Sequence, residues 1–212
     1  MIENKEERVI KKRLFDMVFS IFAITLLFPI MIVISLLIKI NSPEGSILFK
    51  QRRLGLNGKE FEVLKFRTMV PDAEERLQEL LISDVKIKKE YFIYRKLKND
   101  VRIIGGIGQF LRKSSLDEVP QFFNVFLGNM SVVGPRPYMK AEFSEYKNNT
   151  IDKILSVKPG ITGYWQVIPT RHNTTFDERV GSDLNYIDCR NLWLDSKIIF
   201  KTVWIMGLRR GA

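Results

Sequence analysis

The sequence is poor in the residues that staple or ligate. It has one cysteine, Cys189, and one histidine, His172, among 212 residues. A lone cysteine makes no intramolecular disulfide and no cysteine zinc site, so an oxidised scaffold and a zinc finger are both excluded. A lone histidine excludes a multi-histidine metal centre, and His172 reads as a surface loop residue. No internal repeat and no low-complexity tract occurs. The phosphate-loop pattern G-x-x-x-x-G-K-[ST] is missing, and so is a strand–G-x-G-x-x-G–helix unit. The "GGIG" at 105–108 shares only its glycines with such loops. Acidic residues are the minority: 24 against 34 Lys and Arg, for a net charge of +10. That balance points to a polyanionic partner: nucleic acid, nucleotide or an anionic membrane surface. No nucleic-acid motif is present, and the apolar segment described next argues against that partner.

Residues 17–38 read MVFSIFAITLLFPIMIVISLLI, an uncharged run. As a helix it would reach about 33 Å, against about 30 Å of bilayer hydrocarbon. The run is long for a signal peptide, and no small-residue cleavage site follows it. Membrane insertion is the expectation. Lys11, Lys12 and Arg13 precede the run; Lys39, Lys50, Arg52 and Arg53 follow it. Positive charge marks the cytoplasmic side, and both ends carry it. Pro29 lies inside the run, where it removes a helix hydrogen bond and favours a kink. Two topologies remain open on these grounds. One is a re-entrant helix whose ends share a face; the other is an ordinary crossing with a tolerated proline. Near the C-terminus, "NLWLDSKIIFKTVWIMGLRR" is apolar around most of a helical wheel. Lys197 and Lys201 lie between Trp193 and Trp204, which suits an interfacial amphipathic helix.

Between these segments the pattern is mixed. Residues 47–51 and 61–65 read as the strands of a small hairpin, with Gly55 and Asn57-Gly58 in the turn. Pro71 opens a charged helix with Leu77, Leu80 and Leu81 on one face. Residues 83–99 read as a flexible helix or a loop. "SVVGPRPY" and "VKPGITGYWQV" read as rigid loops punctuated by proline and glycine, and the chain from Phe176 on reads as helical. The fold class is α+β, mainly helical with one small β-hairpin.

The candidate chemistry centres on "KSSLDEVPQFF", where Asp117 and Glu118 stand side by side. Ser115 followed by Glu118 resembles a capping box, and Asp117 is an alternative cap. Either places the carboxylates at a helix N-terminus. Consecutive helix positions diverge by about 100°, so the two need not share a target. Lys65, Arg67, Arg112 and Arg136 are basic residues in short braced segments. An acid pair ringed by cations suits a divalent ion and a pyrophosphate. A carboxylate can also attack phosphorus covalently.

"LRKSSLDEVPQFFNVFLGNMSVVGPRP" at 111–137 resembles the bacterial sugar transferases, the monotopic polyprenol-phosphate phosphoglycosyl transferases. "KFRTM" at 65–69, "VKPGITGYWQV" at 157–167, "FDERV" and "LWLD" resemble further signatures of that family. The likeness runs over roughly residues 11–206. It implies a phosphosugar moved from a nucleotide-diphosphate sugar, usually a UDP-sugar, to a polyprenol phosphate such as undecaprenyl phosphate, with release of UMP. It implies Asp117 as nucleophile beside Mg²⁺ (or Mn²⁺), with Glu118 as its partner. Arg112 and Arg136, with Lys65 and Arg67, would meet phosphate. It also implies a re-entrant helix broken at Pro29. On this reading residues 1–40 form a basic segment and membrane helix, and residues 41–212 a catalytic domain on the cytoplasmic face of the bacterial inner membrane. There are departures. Asn129 stands where the family commonly has aspartate. Ile168-Pro169-Thr170 replaces a usual Ser-Gly stretch before Arg171. Phe28 replaces a serine before the proline, and one residue is added near Gly105-Gly106. The rival reading is a non-catalytic membrane-anchored scaffold with a basic, lipid-binding face. It accounts for the charge and the anchor, but not for the acid pair or the Pro-Arg-Pro turn.

Overall fold

The computed structural model describes residues 5–94, 97, 100–143, 148–168 and 175–208. His172, the departure at 169–171 and the "RRGA" terminus lie outside the described residues. The elements in chain order are α1 (Lys5–Asn41), β1 (Leu48–Leu54), β2 (Glu60–Phe66), α2 (Ala73–Ser83), α3 (Val85–Tyr94) and α4 (Gly105–Ser114). They continue with α5 (Gln121–Leu127), β3 (Ser131–Val133), α6 (Asn148–Leu155), β4 (Gly160–Thr162), α7 (Phe176–Cys189) and α8 (Leu192–Leu208). Among the described residues the protein is thus mostly helical, with two two-stranded sheets.

Helix α1 contains the apolar run and is helical throughout, Pro29 included. It is long and apolar enough to cross a membrane. Asp16, Ser20 and Ala23 are buried at helical spacing, and so are Met31, Ile34 and Ile38. Phe15, Met17, Phe19, Ile24 and Leu27 are half-buried, while Val18, Phe22, Leu26, Val33 and Leu36 are exposed. A narrow buried stripe with apolar residues on every other side is what a lipid-facing helix presents.

The β1–β2 hairpin forms as expected, with strands a little longer than their apolar cores. Its turn carries Asn57 and Gly58 at positive φ, 55° and 74°, which explains the Asn-Gly pair. Residues 83–99 were open between helix and loop; 85–94 are helical.

The contacts divide the chain into two compact units. The first comprises residues 1–28, 50–65 and 118–212. Its core joins Val63, Val125, Met130, Val132, Val133, Tyr138, Ile154, Val180, Ile187 and Ile198. The two loops read from sequence as rigid turns contain strands, β3 and β4, which pair in parallel with Ser131 opposite Gly160 and Val133 opposite Thr162. The pairing continues through Gly134 N–H to Thr162 O at 3.0 Å and Gly160 N–H to Pro135 O at 2.8 Å. A Cβ on Gly160 would lie 2.1 Å from Gly134 N, so this approach admits only glycine. Helix α1 is tied to this sheet by Asp16, which accepts from Ser131 Oγ and Val132 N–H, both at 3.0 Å. Lys12 bridges Asp16 and Asp195. Arg13 donates to the Val125 and Phe126 carbonyls at the C-terminal end of α5, each at 2.7 Å, which satisfies acceptors the helix leaves over.

Helix α8 belongs to the same unit and has two apolar sides. Ile198 is buried, while Trp193, Phe200, Val203 and Trp204 are exposed. Lys197 Nζ stands 5.1 Å from the Trp193 ring centroid. One side of α8 therefore packs in the core and the other is apolar and exposed.

The second unit comprises residues 29–49 and 66–117. Ile34, Ile38, Phe66, Leu77, Ile104 and Leu111 are buried in it. A bridge between Met69 and Ile103, and the Ile104 N–H to Thr68 O bond at 2.9 Å, hold α4 against the segment after β2.

Candidate active site

Asp117 and Glu118 do not begin an α-helix. They lie in a 3-10 turn, Leu116–Glu118, between α4 and α5. Ser115 takes a left-handed conformation (φ 58°) that terminates α4, and α5 starts only after Pro120, with no side-chain cap. The capping box does not form, because Ser115 ends α4 in a left-handed conformation and is not the N-cap of a following helix. Lys65 Nζ, on β2, donates to Glu118 Oε1 at 2.7 Å. Successive residues of a 3-10 turn diverge by about 120°. The two carboxylates are therefore free to serve different partners, as the sequence suggested.

In the first unit Glu118 belongs to a charged group that also contains Arg53, Arg136 and Glu142. Arg53 Nη1 donates to Glu142 Oε2 at 3.0 Å and Nη2 to Gln51 Oε1 at 2.6 Å. Arg136 Nη2 lies 3.6 Å from Glu142 Oε1. Loss of water lowers the Arg53 pKa, and the Arg136 charge lowers it further; Glu142 and Glu118 oppose this. Arginine stays protonated through such shifts, so the group keeps its cations. Arg136 itself is held at the backbone. Its N–H donates to Asp183 Oδ2 at 3.0 Å, and the Tyr138 hydroxyl reaches the same oxygen at 2.8 Å. Burial pushes the Asp183 carboxyl up to about 6, against the pull of those two bonds and of Arg136.

In the second unit Arg112, at the end of α4, donates Nε–H to Thr68 Oγ1 at 2.9 Å. Desolvation lowers its pKa, while the Asp100 and Asp117 carboxylates pull it back up. Asp117 therefore sits within electrostatic reach of Arg112. Asp100 accepts two bonds from the Arg102 guanidinium, each 2.8 Å.

Arg67, expected at a phosphate, is 6% exposed. It donates to Ser46 O at 2.6 Å, Ser42 O at 2.8 Å, Ser42 Oγ at 3.0 Å and Met69 O at 3.5 Å. A buried fork facing neutral oxygens pins the 42–46 turn and leaves no donor pair for a ligand. Sequence reasoning also missed Arg53, Glu142 and Asp183. Arg53 is one of two adjacent arginines on a strand, and only the strand's alternation tells which points inward.

A group of three or more His, Cys, Asp or Glu able to hold a metal does not occur among the described residues. Two adjacent carboxylates are too few for an all-protein cage. Mg²⁺ takes one or two protein carboxylates and completes its shell with phosphate oxygens and water.

The family model described as Bacterial sugar transferase matches residues 7–209. The UDP-galactose-lipid carrier transferase of Erwinia amylovora is 41% identical over 201 residues, covering 95% of this chain and 41% of the relative. The undecaprenyl-phosphate galactose phosphotransferase of Salmonella typhimurium is 43% identical with the same coverages. The exopolysaccharide production protein ExoY of Rhizobium meliloti is 39% identical, covering 95% of this chain and 87% of the relative. The chain thus spans about two-fifths of the first two relatives and most of the third. With residues 7–209 matched, acid pair and Pro-Arg-Pro turn included, the chain belongs to the bacterial sugar transferase family.

Proposed function

We propose that this protein is a polyprenol-phosphate phosphoglycosyl transferase. It moves a phosphosugar from a UDP-sugar to a polyprenol phosphate and releases UMP, so beginning a lipid-linked surface glycan. The observation that carries the reading is the adjacent pair Asp117-Glu118, one acid within electrostatic reach of Arg112 and the other bonded to Lys65, in a chain whose relatives are named for lipid-carrier and undecaprenyl-phosphate transfer.

Asp117 is the nucleophile. A carboxylate oxygen attacks the β-phosphorus of the donor, and the bond from that phosphorus to the UMP oxygen breaks. A phosphate oxygen of the polyprenol phosphate then attacks the phosphosugar on Asp117. The carboxylate leaves, and polyprenol-diphosphate sugar is formed. Glu118, oriented by Lys65, assists at the second carboxylate position. In the first unit Arg136 and Arg53 neutralise phosphate oxygens; in the second Arg112 lies within electrostatic reach of Asp117 and Arg67 anchors the fold. Asp117 and Glu118 would hold Mg²⁺ together with the diphosphate, and the ion would supply charge neutralisation there. Helix α1 anchors the chain as a re-entrant element kinked at Pro29, with both basic ends on the cytoplasmic face of the inner membrane. One substrate then arrives from water and the other from the bilayer.

The test is transfer of labelled sugar phosphate from a panel of UDP-sugars to polyprenol phosphate, reading UMP release with and without chelator. Lipid-linked product that disappears on chelation supports the reading. Anionic-vesicle binding with no turnover on any donor would leave the scaffold reading.

A further inference from the structure

Asp183, on α7, is completely buried. Its Oδ2 accepts both the Arg136 main-chain N–H and the Tyr138 hydroxyl. Its Oδ1 is equally buried and has no hydrogen-bond partner among the described residues. A buried carboxylate with a bare oxygen is costly, and such a group calls for a reason. The neighbouring chemistry supplies one. Arg136 stands between Pro135 and Pro137, which have no N–H. The Arg136 N–H is therefore the turn's single main-chain donor, and it is given to Asp183. The turn's carbonyls are used on either side: Pro135 O accepts from Gly160 N–H and Tyr138 O from Leu54 N–H. The Tyr138 ring is fixed by Phe143 and Phe176, at centroid distances of 4.9 and 5.7 Å. A charged acceptor holds two donors more firmly than a neutral one of the same shape.

We propose that Asp183 is a positioning residue. It holds the Pro135-Arg136-Pro137 turn through the Arg136 N–H and the Tyr138 hydroxyl, so that the Arg136 guanidinium stands fixed beside Arg53 and Glu142 to receive a donor phosphate. This rests on the phosphate role given to Arg136 under the proposed function. Asp183 touches no substrate; it acts through Arg136.

The experiment measures UDP affinity by calorimetry on the full chain in detergent, together with thermal midpoints. The variants are Asp183→Asn, Tyr138→Phe, Arg136→Ala and the Asp183→Asn/Arg136→Ala double. Tyr138→Phe removes a single hydroxyl and guards against a misfolded Asp183 variant. Asp183→Asn and Tyr138→Phe should each weaken UDP about tenfold or more. In the Arg136→Ala background Asp183→Asn should add less than twofold, because residues that act through one another are not additive. A multiplicative effect in the double variant would make Asp183 merely structural. Full UDP affinity in Asp183→Asn and Tyr138→Phe, with Arg136→Ala impaired, would overturn the positioning role alone. An Arg136→Ala variant that binds UDP normally would overturn the phosphate role of Arg136, and the positioning role with it.

Discussion

Lys65 Nζ lies 2.7 Å from Glu118 Oε1, and both side chains remain about one-third exposed. The bond joins the "KFRTM" stretch on β2 to the second acid of the pair. At that exposure the ion pair is worth about 1 kcal/mol or less to the fold. In the proposed mechanism its role is to aim the carboxylate.

A double-mutant cycle tests this. Lys65→Met and Glu118→Gln should each lower kcat more than tenfold while the melting temperature moves by only a few degrees. The double variant should be little worse than the poorer single, since each removes the same contact. Independent, multiplicative losses would mean that the lysine meets substrate rather than the glutamate.

Arg67 gives the opposite expectation. Its guanidinium satisfies the Ser42 and Ser46 carbonyls from within the fold. Arg67→Lys should destabilise the protein by about 2 kcal/mol, because lysine cannot reproduce the fork and leaves buried carbonyls unpaired. Donor KM should stay near normal in the folded fraction. Denaturant titration paired with donor kinetics decides. A raised KM at unchanged stability would return Arg67 to the phosphate set.

Those two residues mark where the sequence is legible and where it stops. "KFRTM" announces a functional stretch, yet Lys65 and Arg67 point to different work. What separates them is a turn about 20 residues upstream for one and an acid 53 residues downstream for the other. The hairpin was legible because Asn-Gly demands positive φ. The β3–β4 pair was not, because three-residue strands are too short to show a period, and their glycines and prolines read as loop. The acid pair was legible as a candidate site. Its 3-10 setting was not, because the Ser115–Glu118 pattern satisfies a capping rule, whereas Ser115 ends α4 in a left-handed conformation. Asp183 left no local signal at all: its reason is a backbone donor on a different element.

Stability should depend on the charge of Asp183. Its carboxyl is raised from an ordinary 3.8 to about 6. Between those values the folded chain holds a proton that the unfolded chain has released. The contribution is therefore fully present below about pH 4 and is lost as pH rises through 6. About two pKa units correspond to about 3 kcal/mol. Asp183→Asn lacks this titration. The stability of the native chain minus that of the variant should fall by about that amount between pH 4 and pH 7, read by denaturant unfolding. A flat difference would mean that Asp183 titrates as an ordinary aspartate.

Topology can be read with cysteine labels near residues 8 and 50, in a Cys189→Ser background because Cys189 is exposed. Basic residues at both ends of the apolar run and Pro29 within it motivate the expectation that an impermeant reagent reaches neither label in intact cells. Pro29→Ala restores a helix hydrogen bond and should shift part of the population to a crossing form, exposing one end. Labelling of one end in the native chain would mean that α1 simply crosses.

In the proposed mechanism Asp117 is the nucleophile. Asparagine has the size and shape of aspartate, so Asp117→Asn should fold and melt within a few degrees of the native chain. It should lose activity by about a thousandfold or more, since a carboxamide is no nucleophile at phosphorus. Two-substrate kinetics should give parallel lines, because UMP leaves before the lipid attacks. Without polyprenol phosphate, the peptide containing Asp117 should gain the mass of one phosphosugar, and that mass should vanish when lipid is added. Glu118→Gln should slow turnover but still form the adduct, because Glu118 supports the reaction without bonding to phosphorus. Intersecting lines with no adduct would instead mean direct attack of lipid on donor, with Asp117 confined to binding.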